Sequence, residues 1–207
     1  MSAEDHLLEA KRRILAATLP HVAFDGWSGG ALLRGTRGAG FEPEMAARAF
    51  PGGPIEMVDF WIHEADRMML DELARHDLPA MRVPERIALA LRLRLMQQAP
   101  NREAVRRAMA LQALPGHAAG ALKSVYRTVD AIWHAAGDTA TDWNFYTKRI
   151  LLAGVYGSTV LFWLDDKSEG FAATWEFLER RLADVMGIQK LRGAANKFFE
   201  RLRRRAS

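Results

Sequence analysis

The stretch YTKRILLAGVYGSTVLFWLDD, residues 146–166, decides how the rest of the chain is read. From Ile150 to Leu164 it carries no charge, and Gly154 and Gly157 stand in its middle. Three readings are open: a membrane span, a helix packed inside the protein, or the wall of an apolar cavity. Length removes the first. A bilayer-crossing helix needs about 20 consecutive apolar residues, and Lys148, Arg149, Asp165 and Asp166 bracket this run too tightly. A helix apolar on every side is covered on every side, by neighbours all round or by a cavity on one of them. Glycine inside a helix costs about 1 kcal/mol relative to alanine, so the pair at 154 and 157 needs a reason. Either another helix approaches closely there, or an apolar ligand has room between walls such as Tyr156, Phe162 and Trp163.

Outward from this stretch, helical periodicity dominates and strand-like alternation is nearly absent. Residues 4–19 place Leu7, Leu8, Ile14 and Leu15 on one stripe, and Pro20 is expected to close it. Short helices follow near 31–36 and 43–50, and Pro54 after Gly52 and Gly53 suits the first turn of the next, to about 76. Further helices are predicted over 84–98, from Asn101 to about 114, over 117–136, from Asp142 to about 165, and from Ser168 to Gly187. A last one runs from about Gln189 into the terminal arginines. About ten helices and no sheet make the fold class all-α.

Charge is concentrated at one end. Residues 189–207 carry seven bases and one acid, +6 of a total of +4, which leaves −2 for the other 188 residues. Leu191, Phe198, Phe199 and Leu202 share a helical stripe, with Lys197, Arg201, Arg204 and Arg205 mostly off it. A basic amphipathic helix with aromatics on its apolar face suits an anionic bilayer surface. A last core helix with a solvated basic end is the plainer alternative.

Catalysis has little to stand on. With no cysteine there are no disulfides, thiolate metal sites or cysteine nucleophiles. The six histidines form no HExxH or Glu-x-x-His pattern, and no P-loop, GxSxG or dinucleotide-binding glycine motif occurs. No catalytic residue, metal or cofactor is expected, and the chain reads as a non-enzyme. The opening MSAEDHLLEAKRR has no apolar secretory core.

Three short helices, a tight turn and a longer helix form the layout of a helix-turn-helix domain. Residues 1–53, with DGW at 25–27 and a turn near Gly40, resemble the TetR-type regulators. Recognition helices need bases and hydroxyls at their exposed positions. The candidate at 41–50 offers Glu42 and Glu44 near its start and Arg48 as its sole base. Nucleic acid is therefore not an expected partner, and a TetR-like repressor sensing a hydrophobic ligand is the rival reading.

DGWS at 25–28, FPGGPIEMVDFW at 50–61, LQALPGHAAGAL at 111–122, VDAIWHAAGDTATDWNFYTKRILLAGVY at 129–156 and FAATWEFLERRLADVM at 171–186 resemble the coenzyme Q (ubiquinone) biosynthesis accessory lipid-binding family, the ninth protein of the eukaryotic pathway and its alphaproteobacterial relatives. The resemblance implies a TetR-like fold in three parts. Residues 1–53 form the helix-turn-helix-like segment, 54–187 a helical lipid-binding domain, and 188–207 a membrane-associating helix. It implies an isoprenoid quinone lipid or a phospholipid near Gly154, Tyr156, Gly157, Phe162, Trp163 and Trp175. It further implies presentation of that lipid to the di-iron demethoxyubiquinone hydroxylase through Asp142, Phe145, Tyr146, Lys148 and Arg149. The tail residues Leu191, Lys197, Phe198, Phe199, Arg201, Leu202, Arg204 and Arg205 would meet the membrane surface. A homodimer is expected because TetR-like relatives dimerise. Eukaryotic members carry a mitochondrial targeting segment and this chain shows none, so the expected place is the cytoplasmic face of a bacterial inner membrane.

Overall fold

A computed structural model describes residues 2–137 and 143–185, with side chains described from 146 onward in the second stretch. The expected tail helix, with Leu191, Lys197, Phe198, Phe199, Arg201, Leu202, Arg204 and Arg205, lies outside the described residues, as does Asp142. Ser2 opens α1 (Ala3–Asp25) with a reciprocal cap: its hydroxyl accepts from the Asp5 amide, and the Asp5 carboxylate accepts from its own. There follow α2 (Gly29–Gly38), α3 (Glu44–Ala49), α4 (Pro54–Leu73), α5 (Val83–Gln97), α6 (Arg102–Gln112), α7 (Ala118–Ala135) and α8 (Trp143–Asp165). A ninth helix, α9, covers residues 172–185, and no strand occurs among the described residues.

Pro20 does not end α1, contrary to the sequence expectation. A proline inside a helix forfeits one hydrogen bond and crowds the preceding turn, at about 3 kcal/mol. The turn beyond it is anchored regardless: Val22 is fully buried, and its carbonyl accepts from the Gly26 amide at 3.0 Å. Gly26 sits at φ 65, where a side chain would be strained.

Two cores share α4. Its first half sends Met57, Val58 and Trp61 into a cluster with Ile14, Val22 and Phe50, joined by Ala104 and Ala108 of α6. Its second half sends Met69 and Leu73 into a cluster with Leu91, Ile132, Leu152 and Trp163. Within the first cluster α1 and α2 approach so closely that a Cβ on Gly35 would stand 1.9 Å from Thr18 Oγ1 and 2.8 Å from Thr18 Cα. That contact admits only glycine.

The end of α8 is held from outside. Arg102 Nη2 donates to the carbonyls of Trp163 and Asp166, and Arg106 Nη2 donates to the Leu164 carbonyl at 2.9 Å. These guanidiniums serve helix-terminal carbonyls that have no partner in their own helix. Asp166 then ties the corner into α9, accepting from the amide and hydroxyl of both Ser168 and Thr174. Burial alone would raise its pKa; the four hydrogen bonds outweigh that and hold it at about 2.

α8 is not covered all round, as its composition suggested. Ile150 is 71% and Leu161 57% exposed, so one face of the helix is bare. Tyr146 and Gly154 stand on the same face by helical spacing and are exposed as well.

Two outcomes follow from this packing. Gly35→Ala should lower stability by about 1–3 kcal/mol through overpacking, read from the urea midpoint. For Asp166 the unfolded carboxyl titrates near 3.8 and the folded one at about 2, so its contribution is complete above the first value and lost as pH falls through the second. Stability of Asp166→Asn should therefore vary less than that of the native chain across this acid range, in unfolding curves taken at successive pH values.

Candidate ligand-binding cavity

At the junction of the two cores, α4, α5, α6, α7 and α8 leave a cavity of about 140 Å³. Its walls are largely apolar: Trp61, Ile62 and Ala65 from α4, Val105 and Met109 from α6, Val160 from α8. Tyr156 and Gly157 complete the α8 side. An apolar space of roughly 150 Å³ accepts a single benzene ring, so the cavity has room for one ring or a few isoprene carbons.

The polar groups of the wall are partly paired among themselves. Arg94 Nη2 lies 3.0 Å from Asp66 Oδ1, both side chains almost wholly buried. Thr128 Oγ1 donates to the same carboxylate at 2.9 Å, and Arg127 Nε stands 3.7 Å away. Arg127 and the Ser124 hydroxyl also reach Asp59, at 3.2 and 2.6 Å. Burial pushes the Asp66 carboxyl up while Arg94 and Thr128 pull it down, and burial prevails. Burial likewise raises the Tyr156 phenol, which stays a neutral donor. No described residue hydrogen-bonds its hydroxyl, and Arg94 Nε and Gln98 Oε1 are buried without partners among the described residues.

Of the six residues expected to hold lipid, Tyr156 and Gly157 line the cavity and four do not. Gly154 faces outward on the bare side of α8. Phe162 stacks on Phe177 at 4.7 Å and stays 38% exposed. Trp163 is fully buried against Phe171, and Trp175 donates its indole N–H to the Gly170 carbonyl at 2.7 Å; both pack at the turn that joins α8 to α9. The glycines also correct the close-packing alternative, since a Cβ on either would meet nothing within 4 Å. Gly157 keeps the cavity open; it does not seat a neighbouring helix.

The expected partner block divides in the same way. Tyr146 is 62% exposed, and Lys148 Nζ lies over the Trp133 ring at 5.5 Å. Arg149 is buried, its Nε 2.6 Å from Asp130 Oδ1 of α7. The side chain of Phe145 is outside the described residues, as is Asp142. Sequence reading missed the polar wall. Arg94 was the available signal, since it follows Leu91 by one turn and adjoins Leu95 on an apolar helix; a charge in a core stripe needs a buried counter-charge.

Over the described residues these features define an all-helical protein with a TetR-like fold and an apolar cavity. A TetR transcriptional regulator from Nitrosomonas europaea superposes with a TM-score of 0.70 at 22% identity, over 85% of this chain and 97% of that one. The COQ9 family model matches residues 118–189. The mitochondrial ubiquinone biosynthesis protein COQ9 of Drosophila melanogaster is 32% identical over 197 residues, 91% of this chain and 60% of its own length. COQ9-B of Xenopus laevis is 32% identical over 188 residues, covering 86% and 63%. The Homo sapiens protein is 30% identical over 187 residues, covering 87% and 58%. The chain is thus related to the COQ9 proteins across most of its own length, and it spans about three fifths of theirs.

The two glycines of α8 give a paired test. Gly154→Ala and Gly157→Ala should each raise thermal stability by about 0.5–1 kcal/mol. Gly157→Leu should abolish binding of an apolar dye to the cavity, and Gly154→Leu should leave it intact. Asp66→Ala should cost about 3–5 kcal/mol by stranding the Arg94 charge, and Asp66→Leu combined with Arg94→Met should recover most of it.

Proposed function

We propose that the protein is a non-enzymatic lipid-binding factor of ubiquinone biosynthesis, holding an isoprenoid quinone intermediate and presenting it to the di-iron demethoxyubiquinone hydroxylase. The kinship with COQ9 proteins supports the pathway. The apolar cavity kept open by Gly157 carries the lipid-binding part. The cation in its wall, Arg94, is already neutralised by Asp66, so nothing there calls for a phosphate. An uncharged ring oxygen can accept from the unpartnered Tyr156 hydroxyl, which favours an isoprenoid quinone over a phospholipid. The exposed Tyr146 and the neighbouring Lys148 supply an aromatic and a cation for the hydroxylase.

The basic amphipathic tail is the proposed membrane contact, at the cytoplasmic face of a bacterial inner membrane. Among the described residues no helix is long and apolar enough to cross a bilayer, so attachment there is peripheral in this reading. A homodimer belongs to the same reading. DNA has no part in it: α3 has six residues and opens on Glu44, which suits a helix N-terminus and repels phosphate.

Solvent extraction of the purified protein followed by mass spectrometry should release an isoprenoid quinone or a precursor. Protein that is reproducibly empty, or that yields only phospholipid, overturns the assignment. Removing residues 189–207 should abolish flotation with anionic liposomes while the circular dichroism of the remainder keeps its helical form.

A further inference from the structure

The corner between α6 and α7 carries an unusual surface. Residues 113–123 read ALPGHAAGALK, and no acid occurs between Glu103 and Asp130. Leu114 is 51% and Leu122 73% exposed. Tyr126, one helical turn after Leu122, is 45% exposed on the same face of α7. A second cavity of about 140 Å³ opens beneath this corner, bordered by Ile55, Asp59, Gly116, His117 and Gly120. It shares Gln112, Ala121 and Ser124 with the main cavity, so the two spaces are neighbours separated by three side chains. A Cβ on Gly116 or Gly120 would meet nothing within 4 Å, so neither glycine is there to seat a close contact.

We infer that the α6–α7 corner is the face this protein lays on a lipid bilayer and the mouth through which lipid reaches the cavity; the second half rests on the cavity's being a lipid site. Leu114 and Leu122 offer apolar side chains to the acyl region, while Tyr126 and Lys123 have the apolar body and polar tip that suit the headgroup level. Asp59 is the one acid in the lining of the second cavity, and Arg127 and Ser124 engage it, so little repels anionic lipid. Arg106 and Arg107 further along α6 are paired with Glu103 and Asp165. A folded protein partner would want paired polar groups; Ala118, Ala119 and Gly120 beside Leu122 provide none. A bilayer asks for nothing more than exposed apolar side chains without acids.

The chain has no cysteine, so single cysteines at Leu122, Leu114 and, as a distant control, Ile150 can carry a polarity-sensitive dye on the full chain. With vesicles of mixed phosphatidylcholine and phosphatidylglycerol, dye at 122 and 114 should shift to the blue and be quenched by brominated lipid, and dye at 150 should not. A shift at 150 alone, or vesicle flotation with no shift at 122 and 114, overturns the docking face. Leu122→Glu should take up a fluorescent prenylquinone from vesicles several-fold more slowly than the native chain, yet equal it when the ligand comes from detergent micelles. Equal uptake from both sources, or slow uptake from both, overturns the mouth. A native chain that takes up the quinone from neither source sinks the cavity reading and the mouth with it, and the dye shifts still decide the docking face.

Discussion

One carboxylate organises the centre of the molecule. Asp66 leaves α4 almost without solvent and meets Arg94 of α5 and Thr128 of α7. A buried charge is costly unless each of its lone pairs is used, so the three helices are held in register around it. The register places Arg94 and Thr128 in the wall of the cavity. Filled with apolar side chains, the same junction would close on itself. Fixed polar partners hold a space that hydrophobic packing would otherwise collapse.

α4 matters for the same reason on a larger scale. It supplies Met57 and Trp61 to one core and Met69 and Leu73 to the other. Trp61 faces both the Trp27 ring, 5.1 Å away, and the cavity. The helix-turn-helix-like segment is thereby a fixed buttress of the cavity, braced through α4. Gly35 shows the buttress is tight, since the α1–α2 crossing leaves no space for a methyl group.

Much of the fold was legible because helical periodicity and glycine or proline punctuation act locally. The helices from α4 to α8 lie within a few residues of their predicted bounds. Pro20 misled because a local penalty was overridden by burial of Val22 two residues on. Gly154 and Gly157 looked equivalent in sequence, yet a three-residue step turns about 60° around the helix. The step alone does not separate them, because Gly157 falls between Tyr146 and Ile150 by the same spacing; the neighbouring helices leave Gly154 exposed and take Gly157 into the cavity wall. Trp163 and Trp175 read as cavity walls because bulk and aromaticity do not say which neighbour they touch; the turn that joins α8 to α9 claims both. Arg149 read as a surface charge because its partner, Asp130, lies on another helix. Facing is a tertiary property, and composition alone cannot assign it.

The size of the cavity constrains how it would work. About 140 Å³ hides one ring, while each methylene left in water costs about 0.8 kcal/mol. A polyprenyl chain of any length therefore cannot wait outside the cavity in solvent. It must remain in a bilayer, or in another protein's groove, while its head is held. That demands an apolar path without a gap between cavity and membrane, and a mouth lined by charges would interrupt it. The corner carrying Leu114 and Leu122 over the second cavity meets most of the demand, and the one acid in that cavity's lining, Asp59, is engaged by Arg127 and Ser124. The tail, with its seven bases, would answer a different one in the proposed reading, attraction to anionic lipid. On this argument electrostatic attachment and lipid transfer fall to different parts of the chain.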